Sequence, residues 1–176
     1  NTSNGDVINV AHNSVFSLAE GTISFSFNAD NTSGTYGLVT KDASGNGNGG
    51  HFAAYIQSNR LHVRVQNAST EHVYTTNITS GTNYHVALTF ASTGSELFIN
   101  GVSQGTDAIY MDWRKNTEYL QVGGLGWGSA AGANTFTNPY DGTITDLAIF
   151  GSVVSNSEIA ELAAGDQTPA PAPTDT

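Results

Sequence analysis

Short runs of alternating apolar and polar residues, each closed by a turn residue, recur along this chain, and RLHVRVQ at 60–66 is the clearest of them. In an extended segment the side chains alternate between two faces. Leu61, Val63 and Val65 are thereby set against Arg60, His62, Arg64 and Gln66. The same period of two runs through DVINV at 6–10, GTISFSFNA at 21–29, YGLVTK at 36–41, HFAAYIQ at 51–57 and HVYTT at 72–76. It continues in YHVALTF at 84–90, ELFIN at 96–100, YLQVG at 119–123 and TITDLAIF at 143–150. So many short strands between Gly, Asn, Asp and Ser predict an all-β, antiparallel sandwich. Asn59 closes a hairpin between 51–57 and 60–66. Asn100-Gly101 closes another, because a type I′ turn needs positive φ at both central residues. One short C-terminal helix is predicted: Ser155 and Glu158 form a capping box before an apolar segment through Leu162, and Gly165 is placed to end it.

Composition narrows the function classes. The chain has 176 residues, with fifteen Asp and Glu against five Lys and Arg and a net charge of -10. That length suits one domain with a substantial core. The acidic balance excludes a general nucleic-acid binder, which needs many Lys and Arg to neutralise phosphates, and disfavours an anionic membrane surface. There is no cysteine, so disulfides and thiolate metal sites play no part. No apolar run reaches the roughly 18–20 residues of a membrane span. The sequons at Asn1, Asn31, Asn67 and Asn77 are expected by chance in a chain so rich in Asn, Ser and Thr. Residues 165–176, GDQTPAPAPTDT, form a Pro/Thr-rich, semi-extended linker, which predicts a covalently linked neighbour beyond the folded domain at 1–164. Low charge, absent cysteine and this tail point to a secreted or cell-surface bacterial module.

Several segments resemble, in order, the elements of a known family. DVINVAHNSVFSLAEGTISFSFNA looks like its opening strand, loop and strand. NYHVALTF is similar to its Trp-x-His-Val-Ala strand, ELFINGV to its Leu-Tyr-Val-Asp-Gly hairpin, YDGTITDLAIF to its closing Asp-Gly-x-Ile-Asp strand, and SEIAEL to the helix that follows. The family is the laminin-G-like branch of the concanavalin A-like jelly rolls, bacterial type, and the likeness spans residues 6–164. Asn83 stands where that family usually has Trp, and Asn100 where Asp is common. The resemblance implies two curved sheets, a concave face or rim loops open to ligands, and a structural Ca²⁺ with Asp146 as its leading ligand. Oxygen donors from side chains and carbonyls suit that ion. A fold of this kind does not by itself imply catalysis.

Alternation extended to the neighbouring strands yields a candidate site. Phe52, Ala54 and Ile56 point inward, which leaves His51, Ala53, Tyr55 and Gln57 outward. Val73 is expected inward, with His72 and Tyr74 outward; Val86, Leu88 and Phe90 inward, with His85, Ala87 and Thr89 outward. His51, His62, His72, Arg64, Gln66, Tyr55 and Tyr74 then make one outward patch with a protonatable centre. Tyr rings can lie against sugar faces, Arg can bind a carboxylate through two bonds, and His gains charge as pH falls. This chemistry suits an anionic polysaccharide, a uronate such as alginate above all. The plain alternative is a solvated sheet face.

Both tryptophans fall in loops. Trp113, beside Arg114 and Lys115 in YMDWRK, is expected at the rim as a sugar platform; Trp127, flanked by glycine in GLGWGS, is expected to plug the sandwich. DASGNGN spaces Asp42, Ser44, Asn46 and Asn48 like a Ca²⁺ loop but lacks the closing Glu, and is read as a flexible loop. The outward faces offer no carboxylate pair for a glycosidase, and the motifs of jelly-roll lyases are missing. The sequence therefore predicts a non-catalytic carbohydrate-binding module, with an adhesin or spacer domain as the alternative and a small polyuronate lyase as the minority reading.

Overall fold

The computed structural model describes residues 6–45 and 47–165. Among them, eleven strands form two antiparallel sheets. The six-stranded sheet runs in the order β1 (Ile8–Val10), β10 (Leu120–Val122), β3 (Thr35–Lys41), β4 (His51–Gln57), β5 (Arg60–Gln66), β6 (Glu71–Asn77). The five-stranded sheet runs β11 (Gly142–Phe150), β2 (Gly21–Ala29), β7 (Asn83–Ala91), β8 (Gly94–Ile99), β9 (Val102–Asp107). Among the described residues a single α-helix, α1 (Asn156–Ala163), closes the fold, and its capping box between Ser155 and Glu158 is formed in both directions. The linker expected at 165–176 lies, apart from Gly165, outside the described residues, as do Asn1 and Asn46. No helix among the described residues is long and apolar enough to cross a membrane.

Alternation builds the core. Ile23, Phe25 and Phe27 of β2 and Val86, Leu88 and Phe90 of β7 meet Phe52, Ala54 and Ile56 of β4 and Leu61, Val63 and Val65 of β5. Burying each large side chain contributes about 1.5–3 kcal/mol. The two predicted hairpins form as their turns require, with Ser58 and Asn59 at φ 51° and 63° and Asn100 and Gly101 at φ 50° and 78°. Strands 51–57 and 60–66 pair throughout, from His51 opposite Gln66 to Gln57 opposite Arg60.

Four features depart from the sequence reading. VSQGTD forms the edge strand β9, which alternation could not reveal because almost all of it is exposed and no residue is drawn to the core. In β6, Tyr74 lies opposite Val63 and shares its inward face. It is 6 % exposed, and its hydroxyl bonds to the Ser95 carbonyl at 3.0 Å. The phase expected for this strand is therefore reversed: Val73 shares the outward face with Arg64 and His72 the inward side with Val65, where its Nδ1 reaches Asp107 Oδ2 at 3.1 Å. Trp113 is also internal, 0 % exposed between Phe52 and Phe90. Finally, β11 breaks register between Thr145 and Ala148, and Asp146 sits there at φ 57°. This short polar side chain tolerates that left-handed conformation.

Candidate functional site

The outer face of the six-stranded sheet carries a row of aromatic and charged side chains. Tyr55 of β4 and His62 of β5 are direct cross-strand partners, and their rings stack nearly parallel with centroids 4.9 Å apart. Trp127 meets Tyr55 edge-on at 4.8 Å. The Arg64 guanidinium lies over the Trp127 ring at 5.5 Å, a cation–π contact that also fixes the arginine's stem. Trp127 arrives by a close approach of its loop to the sheet. A side chain at Gly37 would strike the Gly124 and Leu125 backbone, and one at Gly126 would strike the Asp42 carbonyl at 2.6 Å. Leu125 joins Ala53 and Tyr55 in a small outer cluster beneath Trp127, and its backbone bridges to Thr137. Trp127 itself stays partly exposed.

Beneath this row lies a buried ionic anchor. The Asp42 carboxylate, with no exposed surface, binds Nη2 of Arg64, accepts the Ala43 N–H at 2.8 Å, and stands 3.1 Å from His51 Nδ1. The other guanidinium arm, Nη1, reaches Glu71 Oε2 at 3.3 Å. The Arg64 side chain is 15 % exposed, so the pair with Asp42 is largely desolvated. Burial holds the His62 pKa below its ordinary value, and nearby Arg60 adds to the effect. Its ring therefore stacks as neutral imidazole near neutral pH. Burial holds the Tyr55 phenol above its ordinary value.

The predicted residues divide accordingly. Arg64, His62 and Tyr55 come together on the outer face, with Tyr55 buried between its neighbours at 6 % exposed. His51 and Gln66 lie on the same face but are buried, each 3 % exposed. His72, Tyr74 and Trp113 do not join them. His85 belongs to the opposite sheet, where its Nε2 bonds to Ser24 Oγ at 2.9 Å. Arg114 stands apart on its loop, forked onto Asp112 through Nε at 2.8 Å and Nη2 at 2.9 Å. That fork holds the Asp112 carboxyl below the usual range.

Three contributors escaped the sequence reading. Asp42 and Glu71 were missed as partners of Arg64 because each falls just outside a strand run, Asp42 after 36–41, where it was read within a loop, and Glu71 before 72–76. Trp127 was hidden by the glycines that in fact bring it to the sheet. A fourth residue, Lys41, takes one of the five scarce bases out of play. It is fully buried, with Nζ held by the Asn116 carbonyl at 2.9 Å, Asn116 Oδ1 at 3.1 Å and the Glu118 carbonyl at 2.7 Å. Burial brings its pKa down to about 8. Asp146 is exposed at its bulge. Among the described residues no three His, Asp or Glu side chains converge as a metal cluster.

No curated protein matches the chain by sequence. Its fold resembles the sialidase carbohydrate-binding module of Ruminococcus gnavus bound to α2,3-sialyllactose, with a TM-score of 0.70 and 17% identity over 90% of this chain and 92% of that one. It also resembles the heptameric SAP-like pentraxin of Limulus polyphemus, with a TM-score of 0.64 and 14% identity over 93% and 77% of the two chains. The binding domain of botulinum neurotoxin serotype D gives a TM-score of 0.67 and 16% identity, covering 94% of this chain and 41% of that one. The family model for the concanavalin A-like lectin/glucanases superfamily matches residues 2–160. The chain belongs to that superfamily, in its laminin-G-like branch.

Proposed function

We propose that this domain is a non-catalytic carbohydrate-binding module, secreted or displayed at a cell surface, that holds a linked neighbour near an acidic polysaccharide. The observation that carries the reading is the row Trp127, Tyr55, His62 with Arg64 set into it. Trp127 and His62 keep part of their rings at the surface over the buried Tyr55; such faces suit the C–H faces of pyranoses, and a guanidinium suits a sugar carboxylate. Likeness to a module bound to sialyllactose, itself a carboxylate sugar, supports an acidic ligand; uronates such as alginate remain the preferred class. Catalysis gains no support from the face, because Asp42, the second carboxylate beside Arg64, is fully buried and cannot serve as half of a glycosidase pair.

Affinity electrophoresis through gels carrying alginate, pectate, a sulfated galactan or neutral xylan tests this. Retardation by a carboxylated glycan is expected, and Trp127→Ala should lose most of it, since stacking of one sugar on a Trp contributes on the order of 1 kcal/mol. Free migration in every gel would leave a spacer or adhesin domain as the better reading. A structural Ca²⁺ at Asp146 belongs to the same proposal. It predicts a lower Tm in chelator that Ca²⁺ but not Mg²⁺ restores, because a ion bound only to the native state stabilises it; an unchanged Tm removes the ion.

A further inference from the structure

Glu71 sits where an acidic ligand would place its own carboxylate. Arg64 divides its guanidinium between two partners of very different standing. Nη2 goes to Asp42, which has no exposed surface, accepts the Ala43 N–H at 2.8 Å and is flanked by His51. That partner is fixed, since moving it would strand a buried charge. Nη1 goes to Glu71 across 3.3 Å, and the Glu71 side chain is 51 % exposed. Glu71 is the first residue of β6, the edge strand of its sheet, so its carboxylate can turn into water without disturbing any packed group. An exposed pair of this kind contributes only about 0–1 kcal/mol.

Resting on the acidic-glycan reading above, we propose that Glu71 is a built-in competitor for the ligand's carboxylate, and that an acidic sugar binds by exchanging with it at Nη1 of Arg64. With Glu71 in place, the guanidinium faces two carboxylates and has no net attraction to offer a free anion. A small carboxylate alone gains little by displacing Glu71, because it trades one exposed ion pair for another. A carboxylate carried on a pyranose gains contacts with the partly exposed rings of Trp127 and His62 in addition. Glu71 thereby makes the site answer to the acid and the sugar face together, and it acts as a specificity-determining residue.

The test is calorimetric titration of the wild-type domain, Glu71→Gln and Glu161→Gln with a defined oligouronate and a neutral xylo-oligosaccharide. Glu161 is exposed on α1, against the opposite sheet, and controls for the change in net charge. Expected is an oligouronate affinity about threefold higher for Glu71→Gln, no change for Glu161→Gln, and neutral-sugar binding the same in all three. Equal or weaker uronate binding by Glu71→Gln, an equal gain from Glu161→Gln, or a parallel gain for the neutral sugar would overturn the exchange and leave the binding face standing. If neither the wild type nor Glu71→Gln binds any glycan, the binding face itself falls, and the exchange with it.

Discussion

On the five-stranded sheet, the outward residues Ala87 and Phe98 lie beneath Ile159 of α1, and the outward polar pair Ser24 and His85 bond to each other at 2.9 Å. On the six-stranded sheet, the outward residues Ala53 and Tyr55 lie beneath Leu125 and Trp127, while Arg64 and His62 keep part of their surface and Thr75 is exposed, its hydroxyl accepting from Arg60 Nη2 at 2.9 Å. Both faces arise from the same period of two, and both carry polar groups that face away from the core. What separates them is the cover. The helix covers the middle of one face, around Ala87 and Phe98, where the buried Ser24 hydroxyl and His85 ring bond to each other. A glycine-bound loop covers only part of the other, so aromatic and cationic groups remain at the boundary with water. Outward along a strand is thus a statement about phase, and accessibility is decided by the segment that crosses the face.

The largest test of this contrast is Arg64→Ala. If Asp42 is an anchor beneath a half-covered face, removing its cation strands a buried carboxylate, and urea unfolding should show a loss of about 3–5 kcal/mol. Arg64→Met combined with Asp42→Asn should recover much of it. A loss under about 1 kcal/mol would mean that the pair is solvated and that the two faces differ less than argued. Next comes Ile159→Ala, which unseals the helix-covered face. It should cost about 2–4 kcal/mol through lost burial and an unfilled space, with glycan retardation unchanged. Loss of retardation at full folding would place the binding surface on the wrong sheet.

Much of this arrangement was legible from alternation alone, and its failures have physical causes. In β4, β5 and β7 several aliphatic residues agree on the inward phase, and the structure keeps that phase. In β6 the run offers only Val73 as an aliphatic guide. The register is set instead by the turn in which Asn67 Oδ1 accepts the Ser69 and Thr70 N–H groups at 2.9 Å, followed by Gln66 opposite Glu71. Tyr74 goes inward because Ser95 can satisfy its hydroxyl. The tryptophans exchanged their expected roles for related reasons. Two cations beside Trp113 suggested surface, but Asp112 caps a short turn there by accepting the Arg114 N–H, and that turn sends the indole into the core. Glycines beside Trp127 suggested a plug, yet they let its loop lie close enough to the sheet for the ring to reach Tyr55. Asp42 precedes Arg64 by 22 residues and lies past the end of its strand, so no local pattern could join them.

The smallest expected effect is a dependence of stability on pH that the sealed face should dominate. Burial depresses the pKa of His85, and the charge of Asp146 opposes this only in part. His62 is depressed as well, again chiefly by burial, but its ring is less enclosed. In the unfolded chain both histidines titrate near the ordinary value of about 6.5. As pH falls through that value the unfolded state takes up protons that the native state still refuses, so stability declines. The contribution is complete above the unfolded pKa and is lost toward the lower native one. Urea midpoints measured at falling pH should therefore drop, and His85→Gln, which can keep a bond to Ser24, should flatten the curve more than His62→Gln does. The reverse order would mean that the half-covered face excludes water better than the helix-covered one, and the contrast between the two faces would have to be redrawn.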